Sequence, residues 1–148
     1  MADRAGRVEE EEGAGGSGVG IDVVPVARAA RLLAKWGDVV LDEVLSPAER
    51  GAVPRGRRRA EWFAGRIAAK EAVMKACGRG SSLGWHAVQI GVEKGGRPTA
   101  HLCEEGTGGG RAVRLSIAHD GGVALAMAVL MASGDILDPV TSGNGGVA

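Results

Sequence analysis

The sequence predicts an α+β fold in which a largely antiparallel sheet packs against helices. A short apolar, β-branched segment at residues 19–24 predicts one strand, and helical patterns follow it as far as residue 77. Strand-like segments then fill most of residues 86–132. The resulting order, β-α-α-α-β-β-β-β, keeps most strands together, and consecutive strands joined by short turns pair antiparallel.

The composition predicts one folded domain with a disordered tail at each end. Residues 1–18 combine an acidic run with Gly and Ser, and residues 133–148 end in a Gly-rich stretch. Neither segment has enough apolar side chains to offset the entropy of ordering it, so we expect both tails to be disordered. The domain is predicted over residues 19–132, which suffice for two layers.

The charge and apolar patterns argue against several classes of function. The chain has 18 basic and 18 acidic residues, so its overall charge favours neither nucleic acid nor a membrane surface. The longest apolar stretch, residues 123–132, is too short to span a bilayer. The N-terminus lacks the apolar region of a signal peptide, and the two cysteines and three histidines match no zinc spacing. We expect a soluble cytoplasmic protein.

The first elements have recognisable ends. The apolar run at residues 19–24 predicts a buried strand, and Pro25 suits the first turn of a helix that Gly37 ends. A second, short helix is predicted over residues 39–45. Residues 46–49, Ser-Pro-Ala-Glu, have the spacing of a capping box and predict a further helix start.

The longest helix is predicted from about Arg58 to Cys77. Phe63, Ile67 and Met74 lie four and seven residues apart and form an apolar stripe on one face. Gly78 ends the helix because glycine readily adopts the backbone conformation that terminates helices.

The remaining segments predict strands. Residues 86–93 and 97–103 flank Lys94-Gly95-Gly96, which is a hairpin turn signal. Residues 112–120 predict a further strand. Periodicity alone leaves residues 122–132 as a strand or a buried helix, and the Gly121-Gly122 turn favours a strand paired with residues 112–118.

Asp22 is unusual because it lies inside an apolar strand. A carboxylate there is costly unless it is paired, hydrogen-bonded or bound to a cation. An N-capping role is the ordinary alternative, although Pro25 would place the cap at Val24 instead. From the residues alone, the functional and the structural interpretation of Asp22 carry equal weight.

Glu71 projects to the border of the apolar stripe and is therefore predicted to be partly buried. Lys75 follows it by four residues, and the commoner interpretation of such a pair is ordinary helix support. A Mg²⁺ site would explain Asp22 and Glu71 together, since Mg²⁺ keeps waters and takes few protein ligands. Lys70 and Lys75 would then be phosphate partners.

Two further features of the sequence indicate function less strongly. His119 ends a predicted strand before a Gly-Gly turn, where ligands are often bound, although a lone histidine is more often structural. Arg55 and Arg57–Arg59 form a basic block that usually means a solvated helix start. The run at residues 106–110, Gly-Thr-Gly-Gly-Gly, lacks the spacing of a dinucleotide fingerprint, and the chain has no P-loop.

Four motifs in this order resemble one known family. They are GIDVVPVAR at residues 20–28, AGRIAAKEAVMKACGRG at 64–80, GGRP at 95–98 and LSIAHD at 115–120. Together they are similar to the holo-acyl-carrier-protein synthases, the small stand-alone class of 4′-phosphopantetheinyl transferases. The resemblance covers about residues 18–131 and implies the fold of that family.

The resemblance implies an activity. Members transfer the 4′-phosphopantetheine arm of coenzyme A to a serine of an apo acyl carrier protein, with Mg²⁺, and release adenosine 3′,5′-bisphosphate. They are commonly homotrimers with active sites between subunits. By motif position, Asp22 and Glu71 bind the metal, Lys75 faces the pyrophosphate and His119 contacts a phosphate. Arg28 meets the carrier protein. The other positions implied to bind coenzyme A are Arg66, Lys70, Gly96, Pro98 and Ser116.

Three positions depart from the family pattern. Ala118 stands where the family usually has Ser or Thr, Ile67 where it has Phe, and Glu43 where it tends to have Arg. A weakened family member that binds a carrier protein without transferring anything is therefore the alternative hypothesis. A nucleic-acid binder built on Arg55–Arg59 is disfavoured because the chain has few aromatic residues and no net positive charge.

Overall fold

The computed structural model describes residues 16–79, 82–103 and 112–132, and nearly all of both predicted tails lies outside these ranges. Within them the structure is α+β as predicted, but four α-helices rather than three separate the first strand from the other four. The strands are β1 Gly18–Pro25, β2 Val88–Val92, β3 Pro98–Leu102, β4 Val113–Asp120 and β5 Val123–Leu130. The helices are α1 Val26–Trp36, α2 Asp38–Val44, α3 Pro47–Arg50 and α4 Arg58–Ala76.

The strands form one antiparallel sheet in the order β1-β5-β4-β3-β2. The strand interpretation of residues 122–132 is confirmed, because β5 pairs with β4 and places Met127 opposite Ser116. Gly121 and Gly122 both have positive φ, of 55° and 79°, so this tight turn requires the conformational freedom of glycine. No helix in the described ranges has the length and apolar character needed to cross a membrane.

Helix α4 is the centre of the core, and its predicted bounds differ from the observed ones by a single residue. Phe63, Ile67 and Met74 are buried as expected. The predicted stripe is nevertheless too narrow, because α4 packs against β1, β4 and β5 of the sheet and also against α1. The small side chains that are buried around the rest of the helix are Ala64, Ala68, Ala69, Ala72 and Ala76.

Two of the predicted helix starts can be compared with the structure. Helix α1 begins at Val26 with Pro25 as its N-cap, so the cap expected at Val24 lies one residue too early. The capping box is present. The Ser46 N–H donates to Glu49 Oε2 at 2.8 Å, and the Glu49 N–H donates to Ser46 Oγ at 3.4 Å.

Strand β1 is an edge strand rather than a fully buried one, so this expectation is wrong for one face. Its outward residues remain exposed, at 68% for Val19, 54% for Ile21 and 49% for Val23. Alternation along the strand turns Asp22 and the buried Val24 to the opposite face, toward α4. An apolar run predicts burial on both faces, but only one face of β1 is covered by this chain.

The inner face of β1 approaches α4 very closely because it carries glycines. A methyl group on Gly18 would lie 1.9 Å from the Ala76 carbonyl oxygen, and one on Gly20 would lie 1.9 Å from that of Ala72. Only glycine permits such contact between a strand and the main chain of a helix. This contact sets Asp22, two residues further along β1, directly against α4.

Candidate active site

Asp22 and Lys75 join β1 to α4 at the surface. The Lys75 ammonium donates to Asp22 Oδ1 at 2.7 Å and to the Ile21 carbonyl oxygen at 3.0 Å. The Asp22 side chain is 13% exposed and that of Lys75 is 49% exposed. The hydrogen bond to Asp22 is the main cause that raises the pKa of Lys75. Two of the three ammonium protons are committed, so one donor can still reach a ligand.

Glu71 lies one helical turn before Lys75 and is partly buried, as the sequence predicts. Desolvation raises the pKa of Glu71, and the negative charge of Asp22 raises it further. The positive charges of Lys75 and Arg28 act in the opposite direction. The ion pair of Lys75 is with Asp22 rather than with Glu71, so ordinary helix support does not explain this lysine.

Lys70 does not reach this surface, and its predicted role as a phosphate partner is wrong. Its side chain is fully buried, and its ammonium is 2.8 Å from Glu49 Oε2. The same nitrogen donates to the carbonyl oxygens of Trp85, at 2.8 Å, and Val88. All three ammonium protons are therefore used inside the protein. Burial is the main cause that lowers the pKa of Lys70, and the Glu49 carboxylate opposes it.

Glu49 has a role that the capping box did not indicate. Besides its bonds to Ser46 and Lys70, its Oε1 accepts a hydrogen bond from the Ile90 N–H at 3.0 Å. This buried carboxylate therefore ties α3 to α4 and β2. The capping spacing explains only the local bond, since Lys70 and Ile90 are 21 and 41 residues away in the sequence.

His119 is the second-to-last residue of β4 and lies on the sheet face that turns toward α4. Its imidazole lies against Gly65, where a methyl group would be 2.8 Å from Nε2. The next residue, Arg66, is buried with its guanidinium over the Trp62 ring at 4.6 Å. Burial lowers the pKa of Arg66, and Glu49 partly opposes this effect. The Arg66 Nε atom is buried without a hydrogen-bond partner, which is unusual and is consistent with a missing acceptor such as a phosphate.

Residues 18–128 match the family model of the 4′-phosphopantetheinyl transferase superfamily. The chain belongs to this family. A holo-[acyl-carrier-protein] synthase of Koribacter versatilis is 41% identical over 121 residues, and the alignment covers 76% of this chain and 96% of the relative. The corresponding protein of Frankia alni is 42% identical over 119 residues, covering 76% and 94%. The enzyme class expected from the motifs is thereby confirmed.

Solved structures of phosphopantetheinyl transferases have the same architecture. A holo-(acyl-carrier-protein) synthase from Bacillus anthracis, in complex with CoA (3′,5′-ADP), superposes with a TM-score of 0.68 at 32% identity. It is matched over 78% of this chain and 96% of that chain. The coenzyme A complex of the Helicobacter pylori synthase also gives a TM-score of 0.68, at 28% identity, covering 76% and 98%. The α+β fold class is confirmed.

This transferase chain does not bring all predicted site residues together. Gly96 and Pro98 lie in the β2–β3 hairpin, and β3 is separated from β1 by two intervening strands, which corresponds to roughly 14 Å. Ser116 points to the outer face of the sheet, opposite to the face that carries Asp22. Arg28, in contrast, is exposed on α1 near Glu71, whose pKa it influences.

The carboxylates of the candidate site have the chemistry that suits Mg²⁺. The described ranges contain no group of three or more His, Cys, Asp or Glu residues that could enclose a metal. Two carboxylates that repel each other, Asp22 and Glu71, are present instead. A hard divalent cation with several retained waters suits such a pair, and it would relieve the repulsion that raises the pKa of Glu71.

Proposed function

We propose that this chain transfers the 4′-phosphopantetheine arm of coenzyme A to a serine hydroxyl of an apo acyl carrier protein, with Mg²⁺, and releases adenosine 3′,5′-bisphosphate. The observation that carries the proposal is the cluster of Asp22, Glu71 and Lys75, held together by the contact between β1 and α4. Family membership over residues 18–128 supports the same reaction. The cytoplasm, where coenzyme A and carrier proteins meet, is the proposed compartment.

Asp22 and Glu71 are the proposed metal ligands, and Mg²⁺ held there would neutralise charge on the pyrophosphate of coenzyme A. Lys75 reaches the same surface with one uncommitted ammonium proton. It therefore donates to a phosphate oxygen and offsets the negative charge that develops on the leaving adenosine bisphosphate. Positioning and charge neutralisation are the main requirements of phosphoryl transfer.

The covalent step exchanges one phosphoester bond for another. The serine oxygen bonds to the phosphorus that carries the pantetheine arm, while the bond from that phosphorus to the oxygen bridging the two phosphates breaks. The hydroxyl proton needs an acceptor. Glu71 is the proposed acceptor among this chain's residues, because its carboxylate belongs to the same cluster, whereas the Asp22 carboxylate already accepts a hydrogen bond from Lys75.

The assembled enzyme is proposed to be a homotrimer with closed cyclic symmetry. Support comes from the outer face of the sheet, where β1 and β5 leave a continuous apolar surface exposed. Its exposed members are Val19, Ile21, Val23, Val123 and Met127. A neighbouring subunit packed on this face would also lie beside Ser116 and could supply Gly96 and Pro98. Sedimentation should give a trimer for the wild type and monomers for Ile21→Lys, and an active wild-type monomer would refute the assembly.

Helix α1 is proposed to bind the carrier protein. Arg28, Arg31 and Lys35 are exposed at spacings of three and four residues, which places them along one side of the helix. Because carrier proteins of this family's reaction present an acidic helix, this basic stripe offers a complementary surface. The proposal leaves three types of carrier open, from fatty-acid, polyketide or peptide synthesis.

The decisive experiment incubates the full-length protein with coenzyme A, Mg²⁺ and an apo carrier protein and weighs the carrier by mass spectrometry. We expect the carrier to gain one phosphopantetheine group, with no gain in EDTA and a much slower gain with Glu71→Gln. An assembled protein that binds the carrier but leaves its mass unchanged would support the alternative, a binding module, which the departure at Ala118 favours.

A further inference from the structure

Gly65 occupies an unexpected place in α4. It is the only glycine of this 19-residue helix, and it lies in the helix interior among many alanines. Glycine destabilises a helix interior relative to alanine, because its backbone loses more conformational freedom. Its φ is not positive, so the backbone conformation does not require glycine here. Some contact of position 65 must therefore explain the residue.

That contact is the ring of His119. A methyl group on Gly65 would lie 2.8 Å from His119 Nε2, 3.5 Å from its Cε1 and 3.6 Å from Ile117 Cγ2. The first distance is too short for a carbon, while the distance to Ile117 is ordinary van der Waals contact. The imidazole thus lies where the side chain of any other residue would begin.

We propose that Gly65 is a positioning residue for His119: by having no side chain, it lets the imidazole lie against α4 on the same sheet face as Asp22. The register supports this placement, since His119 pairs with Ala124, which in turn pairs with Val24 on the inward face of β1. The catalytic consequence rests on the proposed function, in which His119 contacts a phosphate of coenzyme A.

The effect of Gly65→Ala follows from the surroundings of the ring. The clashing atom belongs to the far end of a side chain that is otherwise exposed, so the ring can move away while the helix persists. The substitution should therefore displace His119 rather than unfold α4. Gly51→Ala is a matched control, because Gly51 has helical dihedrals of −64° and −21° and a methyl group there would meet the Ala48 carbonyl oxygen at an ordinary 3.6 Å.

The first test observes the contact itself, independently of catalysis. The chain has three histidines, His86, His101 and His119, so carbon–proton NMR spectra of their rings contain internal references. In Gly65→Ala the His119 ring signals should shift while the ring signals of His86 and His101 stay in place. Gly51→Ala should leave the signals of all three histidines unchanged. Unshifted His119 signals in Gly65→Ala would overturn the proposal.

The second test is a double-mutant cycle on kcat/KM for coenzyme A. We expect Gly65→Ala and His119→Ala each to lower kcat/KM about tenfold, and the double variant to lose no more than either single one. Losses that multiply would mean that Gly65 acts independently of His119. A wild-type protein without any transfer activity would instead refute the proposed function, while the NMR result would still decide the contact.

The third test covers the case in which Gly65→Ala folds poorly. Urea unfolding is measured for the substitution in the wild-type and in the His119→Ala background. Alanine should stabilise α4 clearly more when the ring is absent, since only the ring stands in its way. An equal effect in both backgrounds would show that the imidazole does not occupy this space.

Discussion

Lys70 and Lys75 stand five residues apart on α4, and each forms an ion pair with a carboxylate of another element. Lys70 is fully buried, and its three donors are used by Glu49 and two main-chain carbonyl oxygens. Lys75 is half exposed, and its two observed acceptors leave one donor uncommitted. The number of unused donors and the access of solvent distinguish the structural lysine from the candidate catalytic one, although the two have the same residue type and helix.

The largest expected effect tests the buried pair. Lys70→Met leaves the Glu49 carboxylate buried without its cation, and breaking such a pair costs about 3–5 kcal/mol of unfolding free energy. Urea denaturation of the variant measures this loss. Adding Glu49→Gln removes the stranded charge and keeps an oxygen acceptor for the Ile90 N–H, so the double variant should recover part of the stability. A stable but inactive Lys70→Met protein would instead support the role of Lys70 as a phosphate partner.

Substitution of the two carboxylates near Lys75 should lower turnover and leave stability nearly unchanged, the opposite of the result expected for Lys70. Asp22→Asn or Glu71→Gln removes a charge that the proposed Mg²⁺ needs, so turnover should fall about 100-fold or more while the fold persists. Turnover is measured at limiting Mg²⁺, with circular dichroism as the check on folding. Near-normal turnover of both variants under these conditions would contradict the metal assignment.

Lys75→Gln should lower the activity of the protein without a large loss of stability. We expect turnover to fall about tenfold or more, because the leaving phosphate loses a cation. The free energy of unfolding should change by no more than about 1 kcal/mol, since the pair with Asp22 is only partly shielded from solvent. A loss of stability as large as that of Lys70→Met would remove the distinction between the two lysines.

The smallest effect concerns charges at the rim. Glu43 is exposed on α2, at a position where the family tends to carry a base, and Arg28 is exposed on α1. Glu43→Arg should raise kcat/KM for an acidic carrier by a few-fold, because a rim charge is worth no more than about 1 kcal/mol. Arg28→Glu should lower it more strongly, and added salt should reduce both effects. An unchanged kcat/KM for Glu43→Arg at low salt would mean that residue 43 does not face the carrier.

The sequence predicted local features well and distant partners poorly. The bounds of α4, the capping box at Ser46 and the hairpin glycines follow from neighbours within a few residues, where spacing and turn chemistry act directly. Lys70 was misassigned because its partners come from α3, from the segment before β2 and from the start of β2, which no helical projection contains. A lysine beside a functional glutamate is chemically identical to a buried one until the fold decides which groups surround it.

The outward face of β1 shows the same limitation. Val19, Ile21 and Val23 have the composition of a buried strand, yet this chain leaves them exposed. The apolar pattern indicates that these three side chains should be buried, but it does not identify the surface that covers them. The predicted site residues Gly96, Pro98 and Ser116 show the same limitation, since the motifs predict a role for them without predicting whether one chain brings them together.

At Gly18 and Gly20 the main chain of β1 lies directly against the main chain of α4. Side chains adjust by changing rotamers, whereas a hydrogen-bonded strand and helix move only as whole elements. The separation of the two site carboxylates is therefore not adjustable in small steps by substitutions at neighbouring positions. An engineer who wishes to bring Asp22 and Glu71 closer together for a smaller cation would have to change the ligands themselves, because β1 and α4 are already at their closest approach at Gly20.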